Sequence, residues 1–478
     1  MSSLSRLRTH AITNIAVYGG ASGLAAVFTL IQTRVLWHAL TPADFGVWAL
    51  VDPLLLPLAC LVLFGIDQSI VKQLQADRLP LRVVVGTLLV STLPATAGCL
   101  LVIGVVAHFA FHLAWTSALL LTVAGEALIL MLQTAFRSTG AVNQFAALLI
   151  ARNLLYLALL LLVQAASGPE PLSTGMVFLT RGACVILVSG VAIAWLRPTP
   201  RIDWSRYRDA LRYGLPLLIT TLIYGAGDMT DRWFLAAFSG VVTVGVYSLH
   251  LKTAAIMAQV IVIPFGLWFP AERFKHMDGA DQGRQFFKRT AVAVSILCAY
   301  LSGVVWLARD IILPLIAPGV VASPLILACC LGSVTCLALS HALNVGLLAP
   351  GQTGKNVYCT VIAVAATVII CAVLVPWFGP DGAAVSRLFG GLVLVSVTAA
   401  WSNKIFPIAF PFTRMVAYFL CSAVACTVID RTATDRGFLD AAVMLIEWTT
   451  VTAMLGSLLR VGLRPVGPVM QAARPPLA

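Results

Sequence analysis

Seven basic side chains fall in or at the margins of the chain's longest apolar stretches: Arg34, Arg152, Arg181, Arg232, Lys252, Arg309 and Arg387. A charge at the centre of a bilayer costs about 2.5 to 3.5 kcal/mol on insertion scales, so each needs a partner, a wet cavity or a path for its head group back to the interface. Arg152 and Arg309 lie near the ends of their stretches, where a long side chain reaches the interface. Arg232 has Asp228 one helical turn before it, which leaves a structural ion pair and a functional role both open. Arg34, Arg181, Lys252 and Arg387 have no acidic residue three or four positions away. Cationic side chains converging on one cavity grip a polyanion by charge-assisted hydrogen bonds, and a diphosphate suits them well. Arg34, Arg181, Arg232, Lys252 and Arg387 are therefore the candidate substrate-binding set, expected to share a cavity between two halves of the molecule. Each taken alone also reads as an interfacial anchor or an internal ion pair.

Acids in the same stretches are fewer: Asp52, Glu126, Asp228, Asp231 and Glu447. Glu126, Asp228 and Asp231 are the candidate ion-coupling or proton-coupling groups, and pairing with a nearby arginine is the other reading of each.

The elements that position these residues are set by composition. The 478 residues are 60% hydrophobic and 10% charged, with a mean hydropathy of +0.96, against roughly 25% charged in a soluble chain. Apolar runs of membrane-spanning length recur throughout, so the expected fold is all-α, a polytopic membrane helix bundle with no soluble domain. Fourteen spans are expected, at 12–38, 45–65, 83–107, 113–135, 145–165, 172–196, 213–238, 243–268, 290–316, 322–348, 357–377, 382–402, 415–430 and 438–459. Lys and Arg crowd alternate loops: twenty-two lie on one side, against Arg431 and Arg436 on the other. The positive-inside rule then puts both termini in the cytoplasm. The same rule accounts for the formal charge of +12 without any nucleic-acid partner.

An internal repeat organises the chain. Tyr18-Gly19 followed by Gly46-Val47 is echoed by Tyr213-Gly214 followed by Gly245-Val246, each copy holding a membrane-length helix, a short turn and the start of a second helix. Two pseudo-symmetric six-helix lobes follow, 1–200 and 201–402, with 403–478 adding two helices and a cytoplasmic tail. The basic stretch Arg197 to Arg212 is the linker between them. Pro216 and Pro264 are candidate kinks.

Other chemistry is excluded motif by motif. Pro350-Gly351-Gln352-Thr353-Gly354-Lys355-Asn356 lacks the leading Gly and the trailing Ser or Thr of a phosphate-binding loop, since Ala349 and Asn356 stand there. His108 and His112 are spaced for one helix face but have no carboxylate or cysteine nearby to complete a metal site. The eleven cysteines show no Cys-x-x-Cys spacing and read as small buried residues. No hydrolase or metalloprotease motif is present, so no enzyme activity, cofactor or metal is expected.

The start Asn14 to Gly19, the turn Leu40-Thr41-Pro42 to Phe45-Gly46, Phe64-Gly65, Arg212-Tyr213-Gly214-Leu215-Pro216, Asp231-Arg232, Gly245-Val246-Tyr247 and Gly379 to Gly382 come in a telling order. Through them the chain, to about residue 402, resembles the polysaccharide and oligosaccharide flippases, O-antigen flippases among them, of the multidrug/oligosaccharidyl-lipid/polysaccharide exporter superfamily. That resemblance implies a bacterial inner-membrane exporter that moves an undecaprenyl-diphosphate-linked oligosaccharide by alternating access. It also implies membrane lipids as surroundings, and a polysaccharide polymerase and chain-length machinery as partners. A lipid II flippase, a drug/cation antiporter of the same superfamily and a non-transporting component of polysaccharide assembly are the alternatives. An antiporter for cationic drugs calls for intramembrane carboxylates, whereas this interior holds more bases than acids.

Overall fold

The computed structural model describes residues 3–75, 79–266, 269, 280–348, 353–408, 410–432 and 438–458. Residues 349–352, the basic residues Arg78, Arg273, Lys275 and Arg436, and the C-terminal stretch with Arg460, Arg464 and Arg474 lie outside them. Among the described residues all regular structure is helical.

The first half comprises α1 (Ser3–Ala39), α2 (Pro42–Val51), α3 (Leu55–Val62), α4 (Ile66–Gln75), α5 (Leu81–Val105), α6 (Thr116–Ser138), α7 (Val142–Ser167) and α8 (Thr174–Leu196). The second comprises α9 (Trp204–Ser239), α10 (Val241–Met257), α11 (Ala280–Leu307), α12 (Arg309–Ile316), α13 (Pro324–Leu343) and α14 (Thr353–Ile405). A hairpin of α15 (Phe412–Thr432) and α16 (Phe438–Leu458) follows. Ten stretches among the described residues are long and apolar enough to cross a membrane, one of them the stretch Lys355–Ile405 within α14. That helix is two arms bent at Gly379, whose φ of 54° and ψ of −126° lie outside helical space. The protein is therefore a multi-pass membrane protein.

Helix starts follow local chemistry. Thr41 accepts from the backbone N–H of Asp44 at 3.1 Å with Pro42 in the first turn, and Asp203 accepts from the N–H of Arg206 at 3.1 Å. The Ser205 hydroxyl, first, and then that N–H hold the Asp203 carboxyl below its ordinary range. Before Pro264 the helix widens into a π-turn at Ala258–Val262, since proline has no N–H to give the preceding turn. The stretch after α5 likewise ends in a π-turn at Val106–Ala110, and His112 sits beyond it at φ 50°, so His108 and His112 do not share a helix face.

Buried apolar side chains gather into one cluster built chiefly from residues 36–211, a second from 235–418, and a small third joining Leu307 to the hairpin. Hydrocarbon tails are as apolar as leucine, so helices in a membrane associate through close packing, and small residues decide where backbones meet. The seam between the halves shows this. At the linker end α4 lies against α9, where Gly65, at φ 72°, abuts the Gly214 carbonyl so closely that a Cβ on either glycine would overlap the other's backbone. At the opposite end α2 lies against α10, with Gly46 on the Val241 carbonyl.

Candidate functional site

α2, α6, α7, α8 and α10 bring charge to the middle of the seam. Arg181 on α8 donates through Nε to Glu126 Oε1 on α6 at 2.9 Å and through Nη1 to the carboxylate of Asp52, which sits in the turn after α2. Arg152 on α7 donates to the same Glu126 oxygen at 3.0 Å. From the other half, Lys252 on α10 reaches Asp52 Oδ2 at 3.4 Å, with its ammonium 4.4 Å from the centre of the Trp48 ring. Among the described residues this is the salt bridge that joins the two halves.

A cavity of about 120 Å³ opens beside it, lined by Thr33, Asp52, Arg152, Tyr156, Arg181 and Lys252 among others. The Tyr156 hydroxyl and the Trp48 indole N–H, both at this cavity, are buried without a protein partner. Three cations face two carboxylates here, with neutral donors to spare, which suits an acceptor-rich anion.

A second charged group lies inside the second half. Arg387, on the later arm of α14, pairs through Nη2 with the Asp228 carboxylate and through Nη1 with Asp231 Oδ2 at 2.9 Å. Tyr247 donates its hydroxyl to Asp231 Oδ2 at 2.7 Å. Arg387 and Asp228 border an open-sided cavity of about 120 Å³ lined by α9, α13 and both arms of α14.

The expected set is thus divided. Arg181 and Lys252 share the seam cavity, Arg387 belongs to the other, and Arg34 and Arg232 line neither. The single shared cavity gives way to two because Asp228 and Asp231 hold Arg387 within its own half. Arg34 donates to the Leu315 carbonyl at the end of α12, a second polar link across the seam. Arg232 makes no pair with Asp228, which is turned to Arg387. It is buried, with Nη1 on the Met229 sulfur at 3.1 Å and Nε unpartnered. All three candidate coupling acids hold arginines, Glu126 two of them.

Arg152 and Arg309 are each held by a carboxylate. Arg152 is tied to Glu126, and Arg309 is buried, donating to Asp430 Oδ2 on α15 at 2.9 Å and to the Trp306 carbonyl at 3.0 Å. Spacing within one helix could not reveal these partners, because they come from helices distant in sequence. Asp52, Arg152, Tyr156 and Trp48 were missed as site residues for that reason. The sequence signal for Asp52 was its place as a lone acid in an apolar span.

Solved structures share this fold. The lipid II flippase MurJ in its inward closed conformation aligns with a TM-score of 0.58 at 13% identity, covering 93% of this chain and 98% of its own. An inward-facing multidrug resistance MATE transporter of the MOP superfamily aligns at 0.54 with 14% identity, covering 85% of this chain and 98% of its own. A point mutant of the Vibrio cholerae MATE transporter VcmN aligns at 0.52 with 12% identity, covering 84% and 98%. No curated protein matches the sequence significantly. The profile of the polysaccharide biosynthesis protein family, in contrast, matches residues 9–272, more than half the chain, and the protein belongs to that family.

Proposed function

We propose that the protein carries a lipid-linked oligosaccharide with a diphosphate head, on the family's pattern an undecaprenyl diphosphate conjugate, across a bacterial inner membrane. It does so by alternating access of two six-helix lobes, 1–200 and 201–402, within fourteen spans whose termini are cytoplasmic. The observation that carries this reading is the seam cavity, where Arg181 of one half and Lys252 of the other are held by one carboxylate, Asp52.

Asp52 pairs with both cations while the halves are together. A diphosphate diester brings two negative charges and several acceptor oxygens, so it competes with Asp52 for both cations and satisfies Tyr156 and Trp48 as well. Releasing Lys252 from Asp52 undoes a link between the halves. The cavity of about 120 Å³ is smaller than the roughly 300 Å³ at which ligand pockets begin, so the halves separate to admit a sugar-bearing head. An ion gradient, rather than ATP, drives the cycle. Glu126 is clamped by two arginines, which leaves Asp228 and Asp231 as the coupling groups.

Likeness to the lipid II flippase makes lipid II transport the second reading; complementing a strain depleted of its own lipid II flippase separates the two. The primary test is ligand stabilisation of the purified protein in detergent by polyprenyl diphosphate against polyprenyl monophosphate. The diphosphate is expected to raise the thermal midpoint more, and Lys252→Gln to abolish the difference. Equal shifts for both lipids in the unaltered protein would count against the reading.

A further inference from the structure

We propose that the second half contains a proton path running from the end of the lobe that carries the 197–212 linker to the carboxylate of Asp228. This rests on the reading that transport is driven by an ion gradient, and it names the ion and its route.

The cavity beside Asp228 does not end there. A further cavity of about 400 Å³ lies toward the linker end between α9, α13 and the two arms of α14. The two share Tyr224, Leu337, Thr360 and Leu394 as walls, so they adjoin. Along α9, Thr220 at one end and Asp228 at the other are eight residues apart, about 12 Å at 1.5 Å per residue. The larger cavity has mostly apolar walls, but Thr220, Thr221, His341, Asn356, Thr360 and Thr398 place hydroxyl, imidazole and amide groups along it. Asn344, which also lines it, has its side-chain oxygen buried without a protein partner. The Thr220, Thr221 and Thr360 hydroxyls donate to carbonyls one turn back and keep lone pairs that accept from water, and both cavities are roomy enough for it, so water ordered on this lining forms the chain that relays a proton.

The destination distinguishes a proton from a metal cation. Arg387 already occupies the space between Asp228 and Asp231, so a metal ion would have to displace a guanidinium. A proton needs only a lone pair. The two carboxylates and Arg387 carry one net negative charge, and the buried Arg232 beside Asp231 lies close enough to offset it, so a proton on Asp228 leaves Arg387 with less to hold it. Asp228 is the acceptor, because its side chain is 40% exposed to the cavity whereas that of Asp231 is 1% exposed and receives the Tyr247 hydroxyl. The titratable and charged groups around this site are Tyr224, Asp231 and Arg232 on α9, Tyr247 on α10, Cys330 on α13, and Cys371 and Arg387 on the two arms of α14. Protonating Asp228 weakens its hold on Arg387, and with it a tie between α9 and α14.

The test uses the full chain in vesicles, with a fluorescent polyprenyl diphosphate monosaccharide as the transported probe and an imposed pH gradient. Thr360→Val is expected to lower gradient-driven flux about tenfold, while Thr360→Ser stays within twofold of the parent. In parallel, Thr360→Cys is expected to take up a charged thiol reagent above the parent's background from the cytoplasmic face alone. Parent flux that ignores the gradient overturns coupling, and the proton path with it. Parent flux that follows the gradient but is untouched by Thr360→Val, with no added labelling of Thr360→Cys from either face, overturns the path and leaves coupling standing.

Discussion

Arg309 shows how a charge inside a membrane protein is kept in place. It is buried between α12 and the appended hairpin, shares Asp430 and Asp310 as counter-ions, and lies 4.7 Å from the Trp306 ring. Removing the buried arginine takes away the counter-ion that Asp430 and Asp310 share, which is destabilising. Arg309→Ala is therefore expected to lower the thermal midpoint of the purified protein markedly and to loosen α15 and α16 to limited proteolysis. An unchanged midpoint and digest would show that Trp448, seated on Gly303, holds the hairpin unaided. At this scale the sequence was half legible. It singled out Arg181, Lys252 and Arg387 as charges that need a reason, but their partners Glu126, Asp52, Asp228 and Asp231 sit on other helices. Pairing of that kind depends on the packing of helices and leaves no trace in helical spacing.

The seam is made by short elements and by glycines. α4 is amphipathic and begins after Phe64 and Gly65, both at positive φ, which turn the chain sharply out of α3. This turn lays α4 on α9, with Lys72 5.6 Å from the centre of the Tyr213 ring and Gly65 on Gly214. A side chain on Gly214 meets the Gly65 backbone, so Gly214→Val holds α4 away from α9 at that end. It is expected to cut flux at least tenfold at normal abundance, since a carrier that cannot close one end cannot alternate. Normal flux would mean that this contact takes no part in the cycle. Phe64-Gly65 and Tyr213-Gly214 were visible in the sequence as motifs. That they meet each other was not, because the repeat relates Gly214 to Gly19, and Gly19 has no such neighbour.

Over the whole molecule the helical membrane fold was legible because hydrophobic runs of bilayer length leave few alternatives. The arrangement of its charges was not, since a half-buried arginine reads the same whether it waits for a ligand or already holds a carboxylate. Two charged groups result, one across the seam and one inside the second half, and the proposed division of labour follows: the first for the anionic cargo, the second for the driving ion. Lys252 is the residue on which the first role turns, because it is the cation that one half presents to the other's carboxylate. The direct measurement is flux of a fluorescent polyprenyl diphosphate monosaccharide through vesicles holding the parent protein, Lys252→Gln or Lys252→Arg. A lost hydrogen bond to a charged group is worth roughly 1.5 to 3 kcal/mol. About a tenfold or greater fall is expected for Lys252→Gln at normal reconstitution, with Lys252→Arg restoring most of the flux. Parental flux in Lys252→Gln would contradict that role.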